Sequence, residues 1–280
     1  MSLLRRLNKL EKLKNKFLKL KEILKELDSA AIAFSGGVDS TFLLKAALEV
    51  LGKDNVLAVT SCAETYPSEE EEEAKKLAQD MGAEHHLIYT TELDNESFVK
   101  NDQKRCYYCK KELFSEVIKV AEEKGFNYVL DGSNFDDHLH DYRPGMQAAR
   151  EMEVKSPLKE AEMTKDDIRA LSKEYNLPTW NKPAFACLSS RFPYGDQITI
   201  NKLEMVDRAE KFMRKMNINQ FRVRHHDQNT ARIEVLPEDL PLMLEKRDKL
   251  LSKFKDIGYT YVTLDLEGYR SGSMNEVLEG

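Results

Sequence analysis

The 280-residue chain is long enough for one large domain or two smaller ones, and with 41% hydrophobic and 33% charged residues it is neither disordered nor fibrous. A net charge of −6 excludes a global basic field for nucleic acid or anionic membrane, so neither is expected as a partner. Four cysteines in this length exclude a disulfide scaffold and point to a reducing, cytoplasmic setting, and no apolar run reaches the roughly 18 residues of a membrane span.

The N-terminal stretch places Leu3, Leu7, Leu10, Leu13, Phe17, Leu20 and Leu24 at helical spacing without the continuous apolar core of a secretory signal. It predicts a helix packed on its own domain or on a neighbouring subunit, with a membrane-surface helix as the alternative. "AAIAFS" reads as a buried strand that runs into Ser35-Gly36-Gly37, and "VDSTFLLKAALEVLG" as a helix stopped by Gly52. "NVLAVTSC" is a second buried strand. "PSEEEEEAKKLAQDMG" is a helix capped by Ser68, with its acids in the first turn as the helix dipole prefers. "EHHLIYT" is a third strand, "YCKKELFSEVIKVAEEKG" a helix, "NYVLDGSN" a fourth strand, and "TKDDIRALSKEYNL" a helix capped by Thr164.

Strands alternating with helices predict an α/β fold with a doubly wound parallel sheet over residues 1–195. Beyond Gly195 the pattern changes. The helix "NKLEMVDRAEKFMRKMN", the hairpin "QFRVRHHDQNTARIEVL", the helix "PEDLPLMLEKRDKLLSKFKDIG" and the strand "YTYVTLDLEG" predict a smaller α+β domain over residues 196–280.

"AFSGGVDST" is the first motif that carries chemistry. Glycines directly after a buried strand let the backbone turn and expose its amides, and the following helix N-terminus completes an anion site. Ser35, Ser40 and Thr41 add hydroxyls, and Asp39 is placed to hold Mg²⁺ against phosphates. The stretch Ser35–Ser40 resembles the PP-loop of the ATP pyrophosphatase family, also called adenine nucleotide alpha hydrolase-like. That resemblance implies a site for ATP and Mg²⁺ and the release of pyrophosphate. It implies nucleotide contacts from Ala33, Ser35, Gly36, Gly37, Asp39, Ser40, Ser61 and the Asp131-Gly132-Ser133 turn. Independently, the ends of the second and fourth strands lie where this architecture binds ligands.

Cys106 and Cys109 form a CxxC pair, which alone fits a disulfide, a redox couple or two metal ligands. Cys187 and Cys62 are the remaining thiols, and no histidine stands at tight zinc-ligand spacing from the pair. Three thiolates without a fourth ligand suit a [4Fe–4S] cluster that keeps one iron open to an exogenous ligand such as hydrosulfide. Cys106, Cys109 and Cys187 are the candidates, with Cys62 as a buried bystander at a strand end or the alternative third ligand.

Five stretches across both expected domains resemble the LarE family, the sulfur transferases of nickel-pincer nucleotide biosynthesis. These are "AFSGGVDST", "DYRPGMQAAR", "WNKPAFACLSSRFPYG", "FRVRHHDQNTARIE" and "YVTLDLEGYRSGSMN". The resemblance implies ATP activation of the carboxylate of a pyridinium mononucleotide, its conversion to a thiocarboxylate, a sulfide or other sulfur donor, and a homo-oligomer. One departure matters. Relatives that sacrifice a cysteine sulfur carry it one position earlier, where this chain has Ala186, and they lack the CxxC pair. The chain therefore looks like an iron–sulfur version of the enzyme.

Arg222 and Arg224 share one face of a strand by its period of two. With Ser190, Arg191 and Arg270 they are candidates to clamp the substrate phosphate, for which guanidinium is suited. Surface charge or RNA-backbone binding is the competing reading. Lys110 and Arg143 are candidates to stabilise charge that develops during adenylation, and Tyr107 and Tyr108 to flank the substrate ring or simply to pack. A tRNA thiolase with a similar cluster and an ammonia-dependent amide ligase remain the rival functions. The first lacks an evident basic surface here, and the second has no use for the three cysteines.

Overall fold

Two compact units divide the chain: Met1–Ala63, Ser68–Thr90 and Cys106–Ala184 form the first, and Glu64–Pro67, Thr91–Arg105 and Phe185–Gly280 the second. The computed structural model describes residues 3–138, 144–183, 186–216, 218, 220–270 and 272–278. In chain order the first part holds α1 (Leu3–Lys25), β1 (Ala30–Ala33), α2 (Val38–Leu51), β2 (Val56–Cys62), α3 (Ser68–Asp80) and β3 (Glu84–Tyr89). Then come α4 (Glu96–Val99), α5 (Arg105–Lys124), β4 (Tyr128–Leu130), α6 (Pro144–Glu151), α7 (Pro157–Glu160) and α8 (Lys165–Glu174). The remainder holds α9 (Ile200–Arg214), β5 (Phe221–His226), β6 (Thr230–Val235), α10 (Leu240–Glu245), α11 (Arg247–Ile257) and β7 (Tyr261–Leu264).

In the first unit the strands pair in parallel in the order β3-β2-β1-β4. Side chains alternate across a strand, so each strand serves two cores. Ala30, Ile32, Val56, Ala58 and Leu130 face one core with Leu20 and Leu24 of α1, Phe42 of α2 and Ile168 of α8. Ala31, Leu57, Val59 and Val129 face the other, with Phe114 and Val117 of α5 and Ala149 of α6. Helices on both faces make the sheet doubly wound, as expected. The N-terminal helix packs on its own unit: Leu20 and Leu24 are buried, the Phe17 and Phe42 rings are 5.8 Å apart, and Lys16 pairs with Asp167 at 2.7 Å. Among the described residues no helix is long and apolar enough to cross a membrane.

The second unit has its own core, in which Phe221 and Val223 of β5, Ala231 and Ile233 of β6, and Phe254 of α11 meet Met205 and Met213 of α9. β5 and β6 form the expected hairpin, and β7 adds in parallel to β6. Two expectations need correction. The helix expected over 237–258 is a short 3₁₀ turn followed by α10 and α11, interrupted at Lys246 where no glycine or proline signals a stop. The fourth strand ends at Leu130, because the Asp131 carboxylate turns inward to accept from the Ser133 and Ser156 hydroxyls, each at 2.7 Å. α3 begins at Ser68. Thr164 does cap α8, in a reciprocal capping box with Asp167.

Candidate functional site

The turn between β1 and α2 is built for an anion. Gly36 has φ +66°, open to glycine without strain, and a Cβ there would come 3.1 Å from that of Ala74. Ser35 and Ser40 close the turn: their hydroxyls lie 3.1 Å apart, and the Ser35 amide donates to the Ser40 hydroxyl at 3.3 Å. Gly37 precedes α2 in extended conformation with no side chain capping the helix, so the first-turn amides keep their dipole directed at the turn. Gly132, at the end of β4, passes so close that a Cβ there would lie 3.0 Å from the Ser40 nitrogen. The tip of β2 is pinned by the Ser61–Thr90 hydroxyl bond at 2.7 Å and by the Thr60 hydroxyl donating to the Phe34 carbonyl at 2.7 Å. Ala33, Ser35, Gly36, Gly37, Asp39, Ser40, Ser61 and Gly132 thus all lie at the carboxyl ends of the parallel strands or on the turn between them.

Asp39 sits in the first turn of α2. Its Oδ2 accepts from the Lys165 ammonium at 2.6 Å, while Oδ1 is buried with no partner. Burial raises the carboxyl above its ordinary range against the opposing pull of Lys165. A buried, unpartnered carboxylate oxygen beside an anion-binding turn fits a Mg²⁺ ligand. Lys182 braces the same turn: its ammonium lies 3.3 Å from the Gly36 carbonyl and pairs with Glu70 at 2.7 Å and Glu73 at 2.9 Å. Sequence reasoning missed both lysines. Lys182 lies inside the quoted "WNKPAFAC" stretch and Lys165 directly follows the Thr164 cap, but neither spacing points at the turn.

Cys106 and Cys109 occupy the first turn of α5, both half-buried, and none of the four cysteines is in a disulfide. The helix start favours the negative charge of thiolate ligands. Lys110 follows on α5 with its ammonium 5.3 Å from the centre of the Phe114 ring, and the Tyr107 and Tyr108 rings stack edge to face on one another at 5.5 Å. Cys62 is buried at the end of β2, and burial with Glu71 beside it pushes its thiol up to about 12. Among the described residues no group of three His, Cys, Asp or Glu side chains gathers as a metal site. Arg143 lies outside the described residues.

Within the second unit, Cys187 begins the 3₁₀ turn Leu188–Arg191 and is half-buried. Arg191 is 1% exposed. Its Nη1 donates to the carbonyls of Ala186 at 2.9 Å and Cys187 at 3.2 Å and to the Ser190 hydroxyl at 2.7 Å. Its other two nitrogens pair with Glu210 of α9. Ser190 donates to the Cys187 carbonyl at 2.8 Å, and Arg224 donates to the Ser190 carbonyl at 3.0 Å. Arg224 also bonds Glu234 at 2.8 Å, and Arg232 bonds the other oxygen of that carboxylate at 3.1 Å. Arg232 continues to Asp265, which Arg270 reaches at 3.6 Å while pairing with Glu276 at 2.9 Å. Cys187, Ser190, Arg191, Arg224 and Arg270 are therefore linked in one hydrogen-bonded and ion-paired chain. Arg222 lies on the same face of β5 as Arg224, half-buried. Burial first, and then the like charge of Arg191, bring its pKa below the ordinary guanidinium value. Glu210 and Glu234, the carboxylates that organise the arginines, left no signal in the sequence beyond being acids at buried positions.

A parallel sheet with a Ser-Gly-Gly turn after its inner strand, aimed into a helix carrying Asp39, is the architecture of the PP-loop ATP pyrophosphatases. A family model described as NAD synthase matches residues 12–119, the part that holds this turn. A Lactiplantibacillus plantarum protein, pyridinium-3,5-bisthiocarboxylic acid mononucleotide synthase, is 41% identical over 91% of this chain and 92% of its own length. A Synechocystis protein of no assigned function is 47% identical over 95% of this chain and 99% of its own. The NH₃-dependent NAD⁺ synthetase of Methanopyrus kandleri matches only 23% of the chain, at 39% identity. The chain belongs to the LarE family of ATP-dependent sulfur transferases.

Proposed function

We propose that the protein uses ATP to activate the carboxylate of a pyridinium mononucleotide and replaces an oxygen of that carboxylate with sulfur. The full-length likeness to the L. plantarum synthase carries this reading. ATP lies on the Ser35–Ser40 turn, whose exposed amides and helix N-terminus receive its phosphates, and Ala33, Ser61 and Gly132 frame the nucleotide. Asp39 holds Mg²⁺, which neutralises phosphate charge when bound. The substrate carboxylate attacks the α-phosphorus, pyrophosphate leaves, and an acyl-adenylate remains. A sulfur nucleophile then adds to the acyl carbon and AMP departs. Lys110 supports the charge of the adenylate. Ser190, Arg191, Arg222, Arg224 and Arg270 form the polar, cationic lining for the substrate phosphate.

The sulfur handling rests on Cys106, Cys109 and Cys187. Three half-buried thiols outside any disulfide, two of them on one helical turn, are a donor set that suits three irons of a [4Fe–4S] cluster. When bound, such a cluster supplies an open iron site that keeps sulfide anionic at neutral pH. Ala186 stands where a sacrificial cysteine would be, so the protein has no sulfur of its own to give at that position. The sulfide source is exogenous and turnover is multiple.

Anaerobic purification with iron and acid-labile sulfide assays tests this. About four irons per chain, lost in Cys106→Ser, Cys109→Ser and Cys187→Ser but kept in Cys62→Ser, is the expected result. A protein that takes up no iron on reconstitution sinks the cluster. ATP-dependent pyrophosphate release that the pyridinium substrate does not stimulate sinks the adenylation.

A further inference from the structure

The start of α3 lies against the phosphate turn: a Cβ on Gly36 would meet that of Ala74 at 3.1 Å. Glu70 stands one helical turn before Ala74 and Glu73 directly before it, so two carboxylates flank the contact. The dipole favours acids at a helix start, but beside a bound phosphate they repel. Lys182 meets both. Its ammonium pairs with Glu70 at 2.7 Å and Glu73 at 2.9 Å and lies 3.3 Å from the Gly36 carbonyl. An ammonium has three donors, and these three acceptors use them all. The Lys182 side chain is 14% exposed, and its own carbonyl accepts from Arg169 of α8 at 3.2 Å.

The Gly36 carbonyl matters for what its peptide presents on the other side. In a planar trans peptide the C=O and the next N–H point in opposite directions. With the carbonyl drawn to Lys182, the Gly37 N–H is turned the other way, where the Ser35 hydroxyl accepts it at 3.4 Å. Glycine stands on both sides of this peptide, so no Cβ resists its rotation. A flipped peptide would aim an oxygen at the place of a phosphate.

We propose that Lys182 is a positioning residue for the phosphate turn. It locks the Gly36–Gly37 peptide with its amide toward the anion, and it neutralises Glu70 and Glu73 behind that peptide. The inference deepens the ATP-dependent adenylation proposed above and rests on it. Lys182 acts through the Gly36 carbonyl and touches no atom of the nucleotide.

The chain offers a direct probe of this peptide. Among its twelve glycines only Gly36 and Gly37 are adjacent. Glycine labelled with ¹³C at the carbonyl and with ¹⁵N therefore gives one directly bonded ¹³C–¹⁵N pair, which magic-angle-spinning NMR selects at any assembly size. The variants are Lys182→Met alone and Lys182→Met combined with Glu70→Gln and Glu73→Gln. Thermal melts check that they fold, and the combined variant carries the test if the unpaired acids unfold the first. Calorimetric titration with inorganic pyrophosphate is the second readout.

Lys182→Met is expected to bind pyrophosphate roughly tenfold to hundredfold more weakly, the weight of one charge-assisted hydrogen bond and two uncompensated acids. Its Gly36–Gly37 signal is expected to shift or split before any ligand is added. The combined variant is expected to keep that altered signal and to stay about tenfold weaker than wild type, because the carbonyl still lacks its donor. Unchanged pyrophosphate affinity in Lys182→Met overturns the inference. Wild-type affinity in the combined variant also overturns it, since charge balance alone would then suffice. Weaker binding with an unaltered Gly36–Gly37 signal overturns it in favour of direct contact between Lys182 and phosphate. All three results leave ATP-dependent adenylation standing, whereas a wild type that binds neither ATP nor pyrophosphate overturns both readings together.

Discussion

Arg191 and Glu210 face each other as a two-point ion pair, Nε to Oε1 at 2.7 Å and Nη2 to Oε2 at 3.0 Å, with both side chains essentially removed from water. The third nitrogen of the same guanidinium holds the Ala186 and Cys187 carbonyls, so the turn that presents Cys187 hangs from α9 through one side chain. Burial works to raise the Glu210 carboxyl, but Arg191 and the Val223 amide outweigh it and hold the group below its ordinary value of 4.5. Stability from the pair is therefore complete above that value and fades as pH falls through the lower folded value. Glu210→Gln is expected to cost about 3–5 kcal/mol at neutral pH by leaving the Arg191 charge buried. Chemical denaturation of the second unit's transition measures it, and an Arg191→Met, Glu210→Leu double variant should recover most of the loss.

His225 gives a second pH signature. It is 1% exposed, its ring lies 5.5 Å from both Phe192 and Tyr259, and neither ring nitrogen has a partner. Burial, then the charges of Lys202 and His226, bring its pKa from 6.5 to about 4. The unfolded chain takes up this proton first, so folding loses support as pH falls from 6.5 toward 4. Between pH 7 and pH 4 the wild type should lose roughly 3 kcal/mol more than His225→Phe, at about 1.4 kcal/mol per unit. Urea melts at the two pH values check the difference.

Gly132→Ala tests the phosphate turn without touching charge. A methyl group there would press on the Ser40 amide, 3.0 Å away, and partly fill the space a phosphate oxygen needs. The expected cost is about 1–3 kcal/mol of stability from overpacking, together with at least a tenfold loss of ATP affinity. Unchanged ATP binding by calorimetry would place the nucleotide elsewhere.

Thiol chemistry should divide the cysteines. Cys62 is buried and stays protonated through the ordinary thiol range, whereas Cys106, Cys109 and Cys187 are half-exposed. In apo protein at pH 8, iodoacetamide followed by mass spectrometry should label those three well before Cys62. Early labelling of Cys62 would contradict its burial at the end of β2.

Local rules made much of this legible. The Ser35–Ser40 turn, the Thr164 cap, the β5–β6 hairpin and the shared face of Arg222 and Arg224 all follow from spacings of a few residues, where sequence and geometry are nearly the same information. The resemblance to the LarE family then supplied a chemistry for the cysteines and arginines that spacing alone left open. What stayed hidden is long-range pairing. Lys165 meets Asp39 and Lys182 meets Gly36 across more than a hundred residues, and Glu210 and Glu234 read as ordinary surface acids until packing buries them. The break between α10 and α11 at Lys246 likewise has no local cause in residue type.

The second unit borrows Thr91–Arg105 from the middle of the chain, and that loan has a consequence for synthesis on the ribosome. Asn101 is fully buried, with its side-chain amide bound to the Pro193 and Asp196 carbonyls, the nearer of which lies 92 residues further on. Arg105 waits in the same way for the Ser189 carbonyl, 84 residues later. At the 5–20 residues per second of translation, this segment emerges roughly 5–18 seconds before its partners exist. During that interval the rest of the first unit's sheet, up to β4, comes out, while Asn101 and Arg105, which bond one another at 2.6 Å, still lack the Ser189, Pro193 and Asp196 carbonyls. The nascent chain thus carries an open polar segment between two finished strands until residue 196 has cleared the exit tunnel. A pause or a rare codon placed between β4 and α9 prolongs the most vulnerable stage of its manufacture.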